Sequence, residues 1–424
     1  MKKYDLIIAG AGAAGLMAAL SASREGMSVL LLEKMEKAGR KIRITGKGRC
    51  NITNTRPWNE FSTHIHPKSN TLKHAFHSFS NTDTIKLFEE IGLPVTVERG
   101  ERAYPSSGKA QDVVNALTAE LDRKGVEIRY NSKVTKFNVL DGFIISVDWQ
   151  ESGTDNSAKT NSFIISTGGL SYPLTGSDGD GYKLAENAGH TIIPCLPSLT
   201  ALMPLKYDSS LSGLSLKNVS LKLFVGKDRV QEEFGDIEFT SNGLEGPLGL
   251  RISRKAVKAI SSGNKVFAEI DLKPALSEDQ IIARIKREFP SDGKMRLTDL
   301  LRKLMPGQLI IPFVNSSCLV QSKILSLQLS GEIYKIADLL KNWRLEITGY
   351  TSFERCVITA GGVSLDEIIP KTMASRLLPN LFFAGEVVDL DGDTGGYNLQ
   401  IAFSTGYLAG KSASYFVKKS KMVI

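Results

Sequence analysis

Cysteine is scarce in this chain: Cys50, Cys195, Cys318 and Cys356 are the four among 424 residues. They form no close pairs and no spacing typical of metal ligands, a pattern that suits a reducing compartment better than a disulfide-stapled secreted fold. We therefore expect a cytoplasmic protein without a metal site.

Long apolar runs are also missing from the sequence. No stretch has the length and the uninterrupted apolarity of a membrane span. The first twenty residues begin with two lysines and continue with an apolar segment, as a secretory signal does, but Asp5 and several glycines interrupt that segment. Internal repeats and low-complexity tracts are absent as well. We expect no membrane partner.

The composition is that of an ordinary globular protein, with 42% hydrophobic and 23% charged residues. A chain of 424 residues exceeds the usual size of one hydrophobic core, so two or three domains are expected. The net charge of +8 permits a polyanionic partner without requiring one.

Three glycines, Gly10, Gly12 and Gly15, follow the first predicted strand in the pattern G-x-G-x-x-G and open a predicted helix. The first permits a tight turn, the second lets a diphosphate approach the backbone, and the third lets the helix pack closely on the strand. Glu33 ends a second apolar strand eighteen residues after Gly15, where an acid binds ribose hydroxyls. The segment predicts a dinucleotide site at the helix N-terminus.

A basic loop follows this unit. GRKIRITGKGRCNITN, residues 39–54, contains Arg40, Lys41, Arg43, Lys47 and Arg49 among three glycines. So basic and flexible a loop suits contact with a nucleic-acid backbone, a membrane surface or one bound phosphate compound.

The C-terminal region helps to decide between NAD and FAD, which share the N-terminal pattern. Residues 380–413 predict a strand, an acidic loop, Gly395-Gly396 and a helix, so the ligand would be reached from both ends of the chain. A helix starting near Gly396 directs its positive end at a group that becomes anionic on reduction, as a flavin does. No second strand–GxGxxG–helix unit is present for a resident NAD(P)H. This layout favours FAD.

Several long segments carry a resemblance to a known family. GRKIRITGKGRCNITN, RAYPSSGKAQDVVNAL (102–117), STGGLSYPLTGSDGDGYKLAENAGH (166–190) and residues 359–410 closely resemble the BaiN-like and aminoacetone-oxidase-like FAD flavoproteins. The resemblance covers nearly the whole chain. It implies an α/β fold: an FAD-binding, Rossmann-like domain of the two-dinucleotide-binding type, with an inserted β-barrel-like domain that carries a small helical insert.

The expected domain boundaries follow from this resemblance and from prolines near residue 195. The FAD-binding domain is expected at 1–194 and 350–424, the barrel-like domain at 195–272 and 331–349, and the helical insert at 273–330. Residues 277–290 and 295–306 predict amphipathic helices that begin near Ser277 and Thr298. Residues 307–329 are also expected to be helical.

The resemblance also implies a set of cofactor-binding residues. Those at the diphosphate are Gly10, Gly12, Ala13, Ala14 and Gly15, with Glu33 at the ribose and Lys34 and Arg40 beside them. Those on the flavin side are Lys41, Thr45, Gly46, Arg49, Cys50 and Asn51, and Val134 falls at the adenine. Those that close the pocket are Thr167, Gly168, Gly169, Gly385, Glu386, Asp389, Gly396, Tyr397, Asn398 and Leu399. The basic loop would therefore face one bound FAD.

Three features of the chain have competing interpretations. Cys50 beside Arg49 fits either a thiol of lowered pKa or, the interpretation we favour, a small residue packed near the cofactor. The histidines His64, His66, His74 and His77 crowd together, but no cysteine or carboxylate joins them at a useful spacing, so metal binding is not expected. Ser241 and Glu245 replace a histidine and a serine of the family pattern, which leaves the substrate contacts of the insert open.

The sequence thus predicts an FAD-dependent oxidoreductase that transfers a hydride between flavin N5 and a small organic substrate, held where the insert meets the FAD domain. The resemblance allows reduction of an activated C=C bond or oxidation of an amine, with NAD(P)H or oxygen as a transient partner. An RNA-modifying flavoprotein and a non-catalytic flavin redox sensor are the alternatives, although no nucleic-acid partner is expected. Tyr397, Tyr172 and Arg102 are candidates for proton transfer, and no catalytic residue is assigned.

Overall fold

The protein is described by a computed structural model that covers residues 1–317, 319–327 and 330–422. Cys318, and Leu329 at the end of the last predicted helix, lie outside the described residues. The chain forms two compact units, Met1–Leu196 with Phe353–Ile424, and Pro197–Ser352. None of the described helices is long and apolar enough to cross a membrane.

The secondary structure is numbered in chain order. The strands β1–β24 are Lys3–Ala9, Val29–Leu32, Thr53–Asn54, Ile65–His66, Val95–Glu98, Arg102–Pro105, Glu127–Arg129, Ser132–Leu140, Phe143–Glu151, Thr154–Ile165, Ile192–Ser198, Leu202–Pro204, Ser215–Val225, Asp228–Thr240, Gly243–Glu245, Val266–Asp271, Lys294–Arg296, Ile324–Ser326, Trp343–Tyr350, Ile358–Val363, Ile368–Ile369, Ala374–Ser375, Leu381–Phe383 and Asp391–Gly392. The α-helices α1–α13 are Ala13–Arg24, Arg40–Ile44, Trp58–Phe61, Ser69–Ser78, Asn81–Glu90, Ala110–Arg123, Asp180–Asn187, Gly246–Ser261, Glu278–Arg287, Leu297–Arg302, Gly307–Ser316, Ser330–Lys341 and Tyr397–Met422.

The first unit is built on a nine-stranded sheet with the order β21-β22-β23-β10-β1-β2-β7, to which β8 and β9 add through β10. Its central strands pair in parallel, with β1 between β10 and β2. Consecutive residues of β1, from Leu6 to Ala9, are all buried or nearly so. Parallel strands covered on both faces read as continuous apolar runs, which is why no polar alternation marks this segment.

Helix α13 returns the C-terminus of the chain to its N-terminal motif. Two of its glycines let it cross α1 at close range, because a Cβ on Gly406 would lie 2.3 Å from the carbonyl oxygen of Ala14, and one on Gly410 2.3 Å from that of Ala18. The start of α1 therefore has residues from both ends of the chain beside it.

The second unit contains a closed barrel with the strand order β12-β15-β14-β13-β16-β19. Helices α9 to α12 lie between β16 and β19 in the chain, but α12 falls almost wholly in residues 331–349, which we had expected in the barrel. The segment also holds the short antiparallel pair of β17 and β18. The prediction of helix over 307–329 is correct only for α11. Leu325 of β18 is buried and pairs with Met295, a contact thirty residues away in sequence that local periodicity does not reveal.

Candidate functional site

A cleft lies in the first unit where β1 and β10 end and α1 begins. Twelve of the predicted cofactor-binding residues line it: Gly10, Gly12, Ala14, Glu33, Lys34, Arg40, Lys41, Val134, Thr167, Gly168, Gly385 and Glu386. The structure therefore brings together residues from the N-terminal motif, the basic loop, the middle of the chain and the C-terminal region.

The three motif glycines meet different surroundings at the start of α1. A Cβ on Gly10, whose φ is +95°, would lie 2.7 Å from the Ser166 carbonyl oxygen, and one on Gly15 would lie 1.8 Å from the Gly10 carbonyl oxygen. No described heavy atom lies within 4 Å of a Cβ placed on Gly12, which caps the N-terminus of α1. Two glycines thus serve close packing, and the third leaves open space against the helix N-terminus.

Glu33 presents a carboxylate to the wall of this cleft and is only 9% exposed. Its Oε2 accepts a hydrogen bond from the Ala11 N–H at 2.8 Å, and its Oε1 accepts one from the Met35 N–H at 2.9 Å. Burial raises the pKa of Glu33, and these two backbone donors oppose that shift. The side chain is therefore held in one orientation at the end of β2.

A second group of charges lies at the cleft around Lys34. Its Nζ lies 2.5 Å from Asp178 Oδ1 and 2.8 Å from Asp180 Oδ2, and Lys133 Nζ lies 3.2 Å from Asp180 Oδ1. Burial would raise the pKa of Asp180, but the bonds to the two lysines outweigh it, and the pKa is lowered. Lysines from β8 and from the end of β2 thus hold the start of α7 against the cleft.

Lys41 anchors a third, more buried network. Its Nζ contacts Glu386 Oε2 at 2.8 Å and donates to Ser171 Oγ at 2.9 Å. Glu386 Oε1 accepts hydrogen bonds from Ser171 Oγ at 2.5 Å and from the Thr359 N–H at 2.9 Å. The network ties the basic loop to the C-terminal region through a single carboxylate.

The remaining predicted residues do not line this cleft: Ala13, Gly15, Thr45, Gly46, Arg49, Cys50, Asn51, Gly169, Asp389, Gly396, Tyr397, Asn398 and Leu399. Arg49 forms an ion pair with Glu98, and its guanidinium lies 4.4 Å from the centre of the Tyr104 ring. Lys47 is exposed. The basic loop is therefore divided, with Arg40 and Lys41 at the cleft and Lys47 and Arg49 on an exposed surface.

Cys50 is fully buried, and burial raises the pKa of its thiol to about 12. Burial thus contradicts a thiol of lowered pKa and agrees with a small packed residue, whose place near the cofactor stays a prediction.

A second set of predicted residues gathers at the start of α13. A Cβ on Gly396, whose φ is +100°, would lie 2.4 Å from the Thr53 carbonyl carbon and 2.9 Å from Asn51 Oδ1. That Asn51 oxygen is buried and has no hydrogen-bond donor among the described residues. Asn398 holds the preceding loop, because its side chain bonds both the N–H and the carbonyl of Gly392 at 2.7 Å.

Sequence reasoning missed part of the cleft lining: Ser132, Lys133, Ser166, Thr175, Gly176, Ser177 and Asp180. The stretch GLSYPLTGSDGDG, with its glycines after a strand, was the available signal for Thr175, Gly176, Ser177 and Asp180. It also missed that Asp393 joins His64 and His66, with His64 Nδ1 2.7 Å from Asp393 Oδ2. Even so, the described residues contain no group of three or more His, Cys, Asp and Glu side chains that could hold a metal ion.

Comparison with known proteins identifies the family of this chain. The family described as "HI0933-like protein Rossmann domain" matches residues 4–412. The chain belongs to the HI0933-like family. The predicted resemblance to BaiN-like FAD flavoproteins is confirmed.

Two relatives match along almost their whole length. The chain is 30% identical over 410 residues to the 3-dehydro-bile acid delta(4,6)-reductase of Clostridium scindens, covering 96% of this chain and 98% of that protein. It is 31% identical over 431 residues to the ribosomal RNA dihydrouridine synthase of Haemophilus influenzae, covering 98% and 100%. Both are similar at the level expected within one family.

The fold also has relatives among solved structures. The 3-ketosteroid-delta4-(5alpha)-dehydrogenase from Rhodococcus jostii RHA1 superposes with a TM-score of 0.54, at 14% identity and 97% coverage of each chain. The predicted fold class, an FAD-binding Rossmann-type α/β fold with a barrel, is confirmed, as are FAD as cofactor and an FAD-dependent oxidoreductase as the class of enzyme. This result favours an HI0933-like enzyme over a non-catalytic flavin sensor.

Proposed function

We propose that this protein reduces a C=C bond conjugated with a carbonyl group, using bound FAD. The observation that carries the proposal is the full-length similarity to two relatives with unrelated substrates. One is named for a delta(4,6) reduction of a 3-dehydro bile acid and the other for the formation of dihydrouridine. Both names describe saturation of an alkene beside a carbonyl, so the bond chemistry is what they share.

The residues that line the cleft suit FAD and suggest a specific arrangement. The space left by Gly12 at the N-terminus of α1 accommodates a diphosphate, with the helix N–H groups and dipole as its partners. Glu33, at the end of β2, would accept hydrogen bonds from the ribose hydroxyls, and Val134 would lie against the adenine.

The flavin end would lie beyond Lys41 and Glu386. The orphaned acceptor Asn51 Oδ1 suits an imide N–H, a donor that the flavin ring carries. Lys41 would stabilise negative charge at that end, and Glu386 holds its ammonium in place. Bound FAD would supply the hydride that adds to one alkene carbon, and this chain must supply or admit the proton for its neighbour.

Oxidation of the reduced protein by candidate acceptors tests the proposal. The FAD-loaded protein is reduced with dithionite without oxygen and mixed with 2-cyclohexen-1-one, a conjugated dienone steroid, or a saturated ketone as the matched control. We expect the flavin absorbance near 450 nm to return with the two alkenes, with the saturated product formed, and to stay bleached with the ketone. If instead amines bleach the oxidised flavin and no alkene oxidises the reduced form, the protein is an amine oxidase.

An RNA substrate is the second candidate, because one full-length relative is named as a ribosomal RNA dihydrouridine synthase. The exposed side chains of Lys47 and Arg49 suit a phosphate backbone, although Arg49 already pairs with Glu98. Incubation of the reduced protein with unmodified ribosomal RNA, followed by nucleoside mass spectrometry, would detect the two added hydrogens of dihydrouridine. Formation of dihydrouridine without any reduction of small enones would make RNA the substrate.

A further inference from the structure

A cluster of ionisable side chains in the first unit is not used by the cofactor cleft. Strand β4 pairs with β24 in antiparallel register, Asp391 opposite His66 and Gly392 opposite Ile65. This pairing places His64 Nδ1 2.7 Å and His66 Nε2 3.3 Å from the two oxygens of Asp393. The Asp393 N–H also donates to the His64 carbonyl at 3.0 Å, so the carboxylate and the imidazole are fixed to each other through side chain and backbone.

The carboxylate remains charged in this arrangement. Burial would raise the pKa of Asp393, but the hydrogen bonds from His64 and His66 outweigh it and hold the pKa at about 2. An ionised carboxylate on Nδ1 fixes the tautomer and the orientation of an imidazole and leaves Nε2 as the working nitrogen. The side chain of His64 is 24% exposed, so it can exchange protons with solvent.

The other face of this imidazole packs on Tyr397. The two rings are stacked, with centroids 4.4 Å apart and an interplanar angle of 27°, and Tyr397 is itself held by Phe61 at 4.8 Å. Tyr397 directly follows Gly396, which contacts Thr53 and Asn51 at the proposed flavin end. His64 thus stacks on the residue that follows Gly396, at the end of the site where we place the flavin.

We propose that His64, oriented by Asp393 and supported by the ring of Tyr397, supplies the proton that completes alkene reduction. This inference rests on the proposed function. In that reaction the hydride adds to the alkene carbon β to the carbonyl, the electron pair moves onto the carbonyl oxygen, and the α carbon takes the proton from His64 Nε2. The electrons come from the reduced cofactor, and solvent then restores the proton on the imidazole.

Single-turnover oxidation of the reduced protein by 2-cyclohexen-1-one tests the assignment. A general acid contributes about 10²-fold or more, so His64→Gln should slow the flavin oxidation by at least about 10²-fold with the FAD content unchanged. His66→Gln should cost less than about tenfold, and His74→Gln, which removes an exposed histidine of α4, should change nothing. Tyr397→Phe removes the phenol hydroxyl and keeps the stacked ring, so it should slow the oxidation far less than His64→Gln does.

The variant Asp393→Asn separates a chemical role from a structural one. A neutral amide no longer holds the imidazole through a charge-assisted bond to Nδ1, so this variant should slow the flavin oxidation while its FAD content stays unchanged. The charged and titratable groups around the dyad are Asp393, His66 and Tyr397, with Arg56, Glu60 and Arg102 acting on Tyr397. Oxidation of Asp393→Asn at the wild-type rate would overturn the proposal even where His64→Gln does not fold.

Nitrogen NMR on histidine-labelled protein without cofactor gives a readout independent of turnover. We expect a hydrogen-bonded Nδ1–H signal for His64 that Asp393→Asn abolishes; its absence from the wild type would overturn the arrangement. A wild type that reduces no alkene would sink the proposed function, and this inference with it. A wild type that reduces the alkene while His64→Gln reacts equally fast, or while Tyr397→Phe is the slow variant, would overturn this inference alone.

Discussion

Glu33 has two roles, and both determine how much its replacement should weaken FAD binding. Its two oxygens accept backbone hydrogen bonds from Ala11 and Met35, which fix the carboxylate, and it faces the cleft where a ribose would lie. The amide of glutamine would keep the shape of the Glu33 carboxylate but would lose its negative charge.

We therefore expect Glu33→Gln to weaken FAD binding by about 10- to 100-fold, the equivalent of roughly 1.5–3 kcal/mol for hydrogen bonds to a charged group. Titration of the apoprotein with FAD, followed by flavin fluorescence, measures the change. Glu36→Gln is the matched control, because Glu36 is an exposed carboxylate that pairs with Arg40. Equal affinities for the wild type and Glu33→Gln would show that the ribose lies elsewhere.

Replacing Lys41 and replacing Glu386 should shift the flavin potential in opposite directions. Removing the ammonium in Lys41→Met leaves the Glu386 carboxylate without its cation, so the flavin potential should become more negative and FAD affinity should drop by about tenfold. Glu386→Gln should shift the potential in the positive direction. Arg49→Ala should change neither, because Arg49 lies outside the cleft and pairs with Glu98. A redox titration in which Arg49→Ala moves the potential and Lys41→Met does not would reverse our division of the basic loop.

The lowered pKa of Asp393 predicts how the stability of the folded protein changes in acid. Its folded pKa of about 2 lies below the usual value near 3.9, so its contribution is present above about pH 4 and is lost as the pH falls toward 2. The side chain is 19% exposed, and the full contribution would be about 2.5 kcal/mol. Between pH 6 and pH 3, the midpoint of thermal unfolding should therefore depend less on pH in Asp393→Asn than in the wild type. Asp366→Asn, which removes an exposed carboxylate, should keep the wild-type dependence. Parallel curves for the wild type and Asp393→Asn would contradict the assignment.

These residues also show what the sequence can and cannot predict. Gly10, Gly12, Gly15 and Glu33 were predictable because their roles depend on spacing within one βαβ unit. The contact of His64 with Asp393 joins residues 329 positions apart, and it forms only because β4 pairs with β24. Two-residue strands leave no periodic pattern, so this dyad was not visible in the sequence.

At the scale of elements, the crossing of α1 and α13 positions the cleft. The small residues Gly406 and Gly410 face the backbone of α1 at Ala14 and Ala18, and Ala14 itself lines the cleft. Any displacement of α13 would therefore reach the diphosphate end of the site as well as the core.

Gly406→Ala should consequently destabilise the protein by roughly 1–3 kcal/mol, the usual cost of overpacking, because its Cβ would lie 2.3 Å from the Ala14 carbonyl oxygen. We expect a lower midpoint of thermal unfolding and weaker FAD binding together. Gly307→Ala is the control, since no described heavy atom lies within 4 Å of a Cβ at the start of α11. A Gly406→Ala variant as stable as Gly307→Ala would mean that the two helices are farther apart than described.

The helices of the second unit show which structural features local sequence signals can predict. Ser277 does cap α9, accepting a hydrogen bond from the Gln280 N–H in a reciprocal capping box, as the sequence predicted. Helix α10 begins at Leu297, next to Thr298 as the sequence predicted, but Thr298 does not cap it, because this helix has no side-chain cap. Capping motifs are local and can be read directly from the sequence, whereas β17 and β18 form by pairing with each other.

At the scale of the whole molecule, the residues that line the cleft all belong to the unit Met1–Leu196 with Phe353–Ile424. The main cluster of buried apolar residues in that unit likewise draws on both of its chain segments and on none of Pro197–Ser352. We therefore expect the first unit to fold and to bind cofactor by means of its own residues.

Replacing residues 199–352 with a short Gly/Ser linker tests this expectation. The shortened protein should be yellow, should release FAD on heating or in acid, and should bind it within about tenfold of the full chain, because Gly12, Glu33, Lys41 and Gly385 are all retained. It should no longer reduce an alkene if the second unit helps to hold the substrate. A chain cut after residue 352 is the contrasting control, since it lacks β23, α13 and Glu386 and should bind no flavin. A shortened protein that is folded by circular dichroism yet colourless, and that ignores added FAD, would show that the barrel unit takes part in holding the cofactor.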